Sequence, residues 1–141
     1  MKIVVAIHGK PKDKRILELL EEYKLKISRY QKIDFEFLGE FKSLENLLEK
    51  FEGKKVYLLD EDGKEFTSAK FAENYEKDLN NSEKEVAFVI GPASGFGEVE
   101  KKLNTISLSK MAMQHDIASL VLVEQIYRAV SIKNNLPYHR V

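Results

Sequence analysis

The residues with the most chemistry in the fewest positions stand at the end of the chain, in Pro137-Tyr-His-Arg140. A proline stiffens the stem, Tyr138 can stack, His139 can exchange a proton and Arg140 can grip phosphate. That combination suits a polyanionic, aromatic substrate such as RNA; the alternative is a solvated tail, since termini are where disorder concentrates. Ser107-Leu-Ser-Lys-Met-Ala-Met-Gln-His115 is a second candidate, with apolar side chains and two methionines in a connection that would ordinarily be polar. A flat apolar ligand would cover it, as would a neighbouring helix or a second subunit. A third is Gly91-Pro-Ala-Ser-Gly-Phe-Gly97, where glycines permit close backbone approach. Its spacing fits neither the dinucleotide fingerprint nor a P-loop, so alone it is no more than a tight turn.

Charge narrows the function classes. Lys plus Arg and Asp plus Glu both total 23, so no global basic field holds nucleic acid and any RNA contact is local. Lys10, Lys12, Lys14 and Arg15 form one local basic cluster, either a phosphate contact or an ordinary solvated face. The absence of cysteine excludes thiolate catalysis and cysteine-ligated zinc and is compatible with a cytoplasmic location. His8, His115 and His139 lack metal-motif spacing, so no metal is expected. The opening apolar run is too short for a membrane span, and no membrane association is expected.

Elements that alternate strand and helix must position these residues. Residues 2–7 read as a strand, and Ile16, Leu19, Leu20, Tyr23, Ile27 and Tyr30 follow helical spacing. Ile33, Phe35 and Phe37 alternate as a half-buried strand, and Ser43 can cap a short helix bearing Leu44, Leu47, Leu48 and Phe51. A strand over 56–59, a turn at Asp60-Glu-Asp-Gly-Lys64, and a helix capped by Thr67 or Ser68 follow. Then come a strand over 86–90, a short helix over 98–103, a strand over 105–108 and a final helix over about 116–134. This predicts one α/β domain over 1–141, a mainly parallel sheet covered on both faces. Ligands in such sheets sit beyond the carboxyl ends of the strands, which selects the loops after Leu59, Ile90 and Leu108. The last helix is apolar nearly all round through Val123, with Glu124, Arg128 and Ser131 on one stripe. A face of it is therefore expected to meet a partner subunit, with Glu124–Arg128 read as a surface ion pair.

Taken together, the chain resembles the ribosomal RNA large-subunit methyltransferase H family, knotted SPOUT-class enzymes. The resemblance spans nearly the whole length: Met1-Lys-Ile with Gly9-Lys10, Leu59-Asp-Glu-Asp-Gly-Lys64 with Ser68 and Phe71-Ala-Glu73, Phe88-Val-Ile-Gly91, Leu108-Ser-Lys-Met111, and Glu124-Gln-Ile-Tyr-Arg-Ala129 ending in Pro137-Tyr-His-Arg140. It implies N3-methylation of a pseudouridine in 23S ribosomal RNA, within the ribosome, using S-adenosyl-L-methionine. It also implies a C-terminal trefoil knot, which periodicity could not reveal, and a homodimer. By this resemblance Leu59, Gly91, Leu108, Ser109, Lys110, Met111, Ala112 and Met113 line the cofactor pocket. Tyr138, His139 and Arg140 then serve the nucleotide across the subunit interface, with His139 or a neighbouring group assisting deprotonation, Arg140 binding phosphate or the anionic base, and Arg128 supporting the tail.

Three positions depart from the family pattern. Gly91-Pro92 replaces Gly-Gly, Gln114-His115 stands where Pro-His is common, and Ser119 stands where an Arg is common, four residues beyond His115. Pro92 removes an amide donor. The alternatives are therefore a catalytically impaired RNA- or ribosome-binding member of the same fold, or a methyltransferase for another RNA nucleotide.

Overall fold

A computed structural model describes residues 1–39, 44–92 and 104–140. Its elements are β1 (Lys2–His8), α1 (Lys14–Ser28), β2 (Lys32–Leu38), α2 (Leu44–Lys50), β3 (Lys55–Glu65), α3 (Ser68–Asn80), β4 (Glu85–Ile90), β5 (Asn104–Ser107) and α4 (His115–Lys133). The strands form one sheet in the order β2-β1-β4-β3-β5, with every pairing parallel. Parallel strands need crossovers, and the β-branched runs of β1 and β4 are buried on both sides as such sheets require.

The two faces of β1 separate the core into two layers. Ile3, Val5 and Ile7 pack with Ile16, Leu20 and Ile27 of α1 and Leu122, Val123, Ile126 and Val130 of α4. Val4 and Ala6 face the other way, onto Leu47 of α2 and Phe51. Helices thus cover both faces, as the alternating pattern predicts. Asp13 caps α1 and Thr67 caps α3, each accepting a backbone N–H from the first turn.

Three sequence expectations change in detail. Asp60–Lys64 does not turn β3 away from the sheet, because Leu59 and Lys64 both align with Ile106 of β5, so residues 60–63 make an excursion inside one strand. The Asp60 carboxylate accepts the Asp62 N–H at 2.8 Å within it, and a Cβ on Gly63 would stand 2.8 Å from the Ile106 backbone. The alternation of β2 breaks at its end, where Phe37 is exposed and Leu38 is buried. Ser131 is fully buried rather than part of a polar stripe, its hydroxyl donating to the Tyr127 carbonyl. Ser43, Gly95, Gly97 and the helix expected over 98–103 lie outside the described residues.

Candidate functional site

The three loops chosen from the sequence leave adjacent strands. Leu59 aligns with Ile90 on one side and Ile106 on the other, Gly91 directly follows Ile90, and Leu108 comes two residues after Ile106. The next link is supplied by α4. Its buried Asp116 carboxylate accepts the N–H groups of Lys12 at 3.1 Å and Asp13 at 3.3 Å, in the connection after β1. The chain from Leu108 to Gln114 therefore leaves the β5 edge and finishes beside the end of β1, three strand spacings or about 14 Å away. It passes the carboxyl ends of β3 and β4, which brings Ser109, Lys110, Met111, Ala112 and Met113 to the margin that holds Leu59 and Gly91.

This segment is braced at both ends. The Ser107 hydroxyl donates to the Ser109 carbonyl at 2.8 Å, and the Met111 N–H donates to the Ser109 hydroxyl at 3.0 Å. The Gln114 side chain caps α4 by accepting the N–H groups of Asp116 and Ile117. Burial alone would raise the Asp116 pKa, but hydrogen bonds from His115 and from the Asp13 and Lys12 amides outweigh it and hold the carboxyl below its ordinary value. Between the braces the side chains are open: Met111 is 78% exposed, and Met113 and Ile117 are exposed as well. Leu59 and Leu108 are partly buried, and with the exposed methionines of this segment they give the margin an apolar character that suits a flat apolar ligand.

The tail is ordered by the way α4 ends. Asn135 adopts φ +56°, the Leu136 N–H reaches back to the Ser131 carbonyl at 2.9 Å, and the Asn135 N–H to that of Ile132. This is a Schellman stop, and it turns residues 136–140 back along the helix. Tyr138 donates its hydroxyl to Glu124 Oε1 at 2.8 Å, and Arg128 donates to the same oxygen at 2.5 Å. The Arg128 guanidinium lies 4.8 Å from the Tyr138 ring centre, and the Tyr138 and Tyr127 ring centres are 4.6 Å apart in a T-shaped arrangement. Burial, then the Tyr23 and Glu124 contacts, push the Tyr138 hydroxyl pKa well up, so it stays a donor. Arg128 also contacts His139 Nδ1 at 3.2 Å. A guanidinium only donates, so Nδ1 accepts and the neutral ring carries its proton on Nε2.

Glu124–Arg128 is therefore the docking site of the tail, not an isolated surface pair. Tyr23 of α1, expected as core, joins it through a 3.4 Å hydroxyl contact with Tyr138. The sequence signal for this was Asn134-Asn135-Leu136-Pro137, a helix stop immediately before the reactive residues. Arg140 is exposed. Within one chain the tail and the loop margin stay apart, because Glu124 lies about 15 Å along the helix axis from Gln114. Ser119, at the position of the missing Arg, is wholly buried with its hydroxyl donating to the His115 carbonyl.

Elsewhere, an apolar cavity of about 20 Å³ lined by residues including Tyr57, Phe71, Tyr75 and Phe88 has room for about one water and lies apart from these groups. Among the described residues no cluster of His, Asp and Glu could hold a metal, and no helix is long and apolar enough to cross a membrane.

Comparison with known proteins gives the same reading over almost the full length. Residues 1–139 match the family described as "Predicted SPOUT methyltransferase". The chain is 37% identical to Ribosomal RNA large subunit methyltransferase H of Parabacteroides distasonis, with 99% of each chain covered. Proteins of the same name from Christiangramia forsetii and Flavobacterium psychrophilum are 37% and 34% identical over the same share of each chain. An all-parallel α/β sheet, loops converging past its carboxyl margin and a match of this extent lead to one conclusion: the chain belongs to the SPOUT methyltransferase family.

Proposed function

We propose that this protein transfers a methyl group from S-adenosyl-L-methionine to N3 of a pseudouridine in 23S ribosomal RNA, on assembled ribosomes in the cytoplasm, as a homodimer of single-domain, knotted subunits. The observation that carries the substrate assignment is the near-complete match to relatives named Ribosomal RNA large subunit methyltransferase H. Leu59, Gly91 and Leu108–Met113 hold the cofactor, which when bound supplies an activated electrophilic methyl. Everything else falls to this chain's own groups, and positioning alone can lower such a barrier by roughly 7–11 kcal/mol at the favourable limit.

The homodimer follows from two features of the single chain. Met111, Met113 and Ile117 lie exposed along the loop and the first turn of α4, and the tail sits half a helix away from the loops it must serve. A second subunit covers the first and brings its own tail to the second. Arg128 holds His139 through Nδ1, which leaves Nε2–H to donate to a uracil-type carbonyl and stabilise the anion that forms as N3–H is lost. With Nδ1 occupied by Arg128, solvent takes that acidic imide proton, and Arg140 neutralises phosphate.

Mapping methylated pseudouridine in 23S ribosomal RNA with and without the gene tests this reading. A mark that depends on the gene supports it; an unchanged map contradicts it. Pro92 favours one second reading, a member that holds cofactor without transfer, because it withdraws an amide at the cofactor loop. Cofactor binding by calorimetry with no transfer to any ribosomal RNA would select that reading. Transfer to a different nucleotide would identify another RNA substrate.

A further inference from the structure

The connection from β1 to α1 is locked to the cofactor margin, yet neither the loops nor the tail uses its side chains. Asp116 ties the Lys12 and Asp13 amides to the first residues of α4, and the Gly9 N–H donates to the Leu38 carbonyl at 2.8 Å, joining the connection to the end of β2. Gly9 takes φ +72° to make that approach. What this rigid connection displays is cationic. Lys10, Lys12 and Lys14 are exposed, and among the described residues none lies within ion-pair distance of a carboxylate. Arg15 differs, since Asp13 holds it through two side-chain hydrogen bonds. Lys10 Nζ stands 5.9 Å from the ring centre of Phe37, a phenylalanine 42% exposed at the end of β2.

We propose that Lys10, Lys12, Lys14 and Phe37 form the rim that receives the RNA strand next to the reacting nucleotide. The three ammonium groups contact successive phosphates, and the Phe37 face stacks an unpaired base. This rests on the ribosomal RNA reading above. The charge layout supports the direction of approach: Asp60, Glu61 and Asp62 occupy the β3 excursion at the other side of the sheet, so a polyanion is drawn to the β1–β2 side and repelled from the β3 side. Single-stranded segments are bound by this pairing of cations with an aromatic platform, and a neutral protein needs such a local site.

The test uses full-length protein and large ribosomal subunits from a strain lacking the gene. Wild type, Phe37→Ala and the triple variant Lys10→Ala, Lys12→Ala, Lys14→Ala are compared for subunit binding between 50 and 200 mM salt (about the range over which phosphate contacts register), for the KM and kcat of methyl transfer, and for cofactor affinity. The triple variant is expected to lower the slope of log affinity against log salt by about 2–3, one step of roughly 0.7–0.9 per lost phosphate contact. Phe37→Ala is expected to raise KM roughly five- to a hundredfold with an unchanged salt slope. Cofactor affinity stays at the wild-type value in both. An unchanged slope and KM in an active enzyme overturn the rim, as does a parallel loss of cofactor binding, which would assign these residues to the cofactor site. Wild-type protein inactive on every ribosomal RNA would instead overturn the substrate reading.

Discussion

Replacing Gly63 with alanine tests whether the β3 excursion positions the proposed cofactor loop. A Cβ at this position would stand 2.8 Å from both the N and C atoms of Ile106 and 2.9 Å from the C atom of Thr105, all main-chain atoms of β5. No side-chain rotation relieves that contact, so β5 must withdraw by several tenths of an ångström. Overpacking of this kind costs about 1–3 kcal/mol. β5 has only four residues to absorb the shift, and Leu108 begins the proposed cofactor segment two residues beyond Ile106. Gly63→Ala should therefore lower the thermal midpoint by roughly 3–10 °C, at about 3–4 °C per kcal/mol for a domain of this size, and weaken S-adenosylmethionine binding about tenfold or more, one decade being 1.4 kcal/mol. Differential scanning calorimetry and titration calorimetry read the two effects on the same sample. A variant with wild-type stability and wild-type affinity would refute both the bulge geometry and its link to the cofactor loop.

Two further perturbations address the other parts of the site. Tyr138→Phe removes the hydroxyl donated to Glu124 and should cost the docked tail about 1–2 kcal/mol; faster amide exchange at 138–140 and slower methyl transfer at unchanged cofactor affinity are expected, and unaltered exchange would contradict the network. Asp116→Asn should lower the thermal midpoint at neutral pH. Because the folded carboxyl titrates below its ordinary 3.8, its stabilisation is complete above that value and is lost as pH falls through the lower folded one, so the gap between wild type and variant should narrow there. A gap that widens in acid would reverse the sign and refute the assignment.

The parts of this molecule that follow local rules were legible from sequence. Residues 3–7 and 86–90 are apolar runs fit for the interior of a parallel sheet, and the rule for strand ends points to Leu59, Gly91 and Leu108, which leave adjacent strands. What was not legible depends on pairing at a distance. Asp60-Glu-Asp-Gly-Lys64 has turn composition, yet Ile106 pairs on both sides of it and keeps it within β3. Glu124 and Arg128 have the spacing of an ordinary helical ion pair, and only the chain reversal at Asn135 brings Tyr138 and His139 onto them. Ser131 reads as surface, but its hydroxyl is satisfied by Tyr127 within the helix and can be buried without a further partner.

The proposed sharing of the site, with one subunit's tail completing the other subunit's cofactor loops, is tested most directly by mixing two inactive variants. Gly91→Val is expected to remove the proposed cofactor site and leave the tail, and deletion of 138–141 to do the reverse. Each dimer alone should transfer no methyl group to ribosomal subunits. Unfolding and refolding an equimolar mixture should restore roughly one quarter of the wild-type rate, since about half the dimers become mixed and each of those regains one of two sites. A mixture as inactive as its parents, with mixed dimers demonstrated by sedimentation and mass spectrometry, would contradict the shared site.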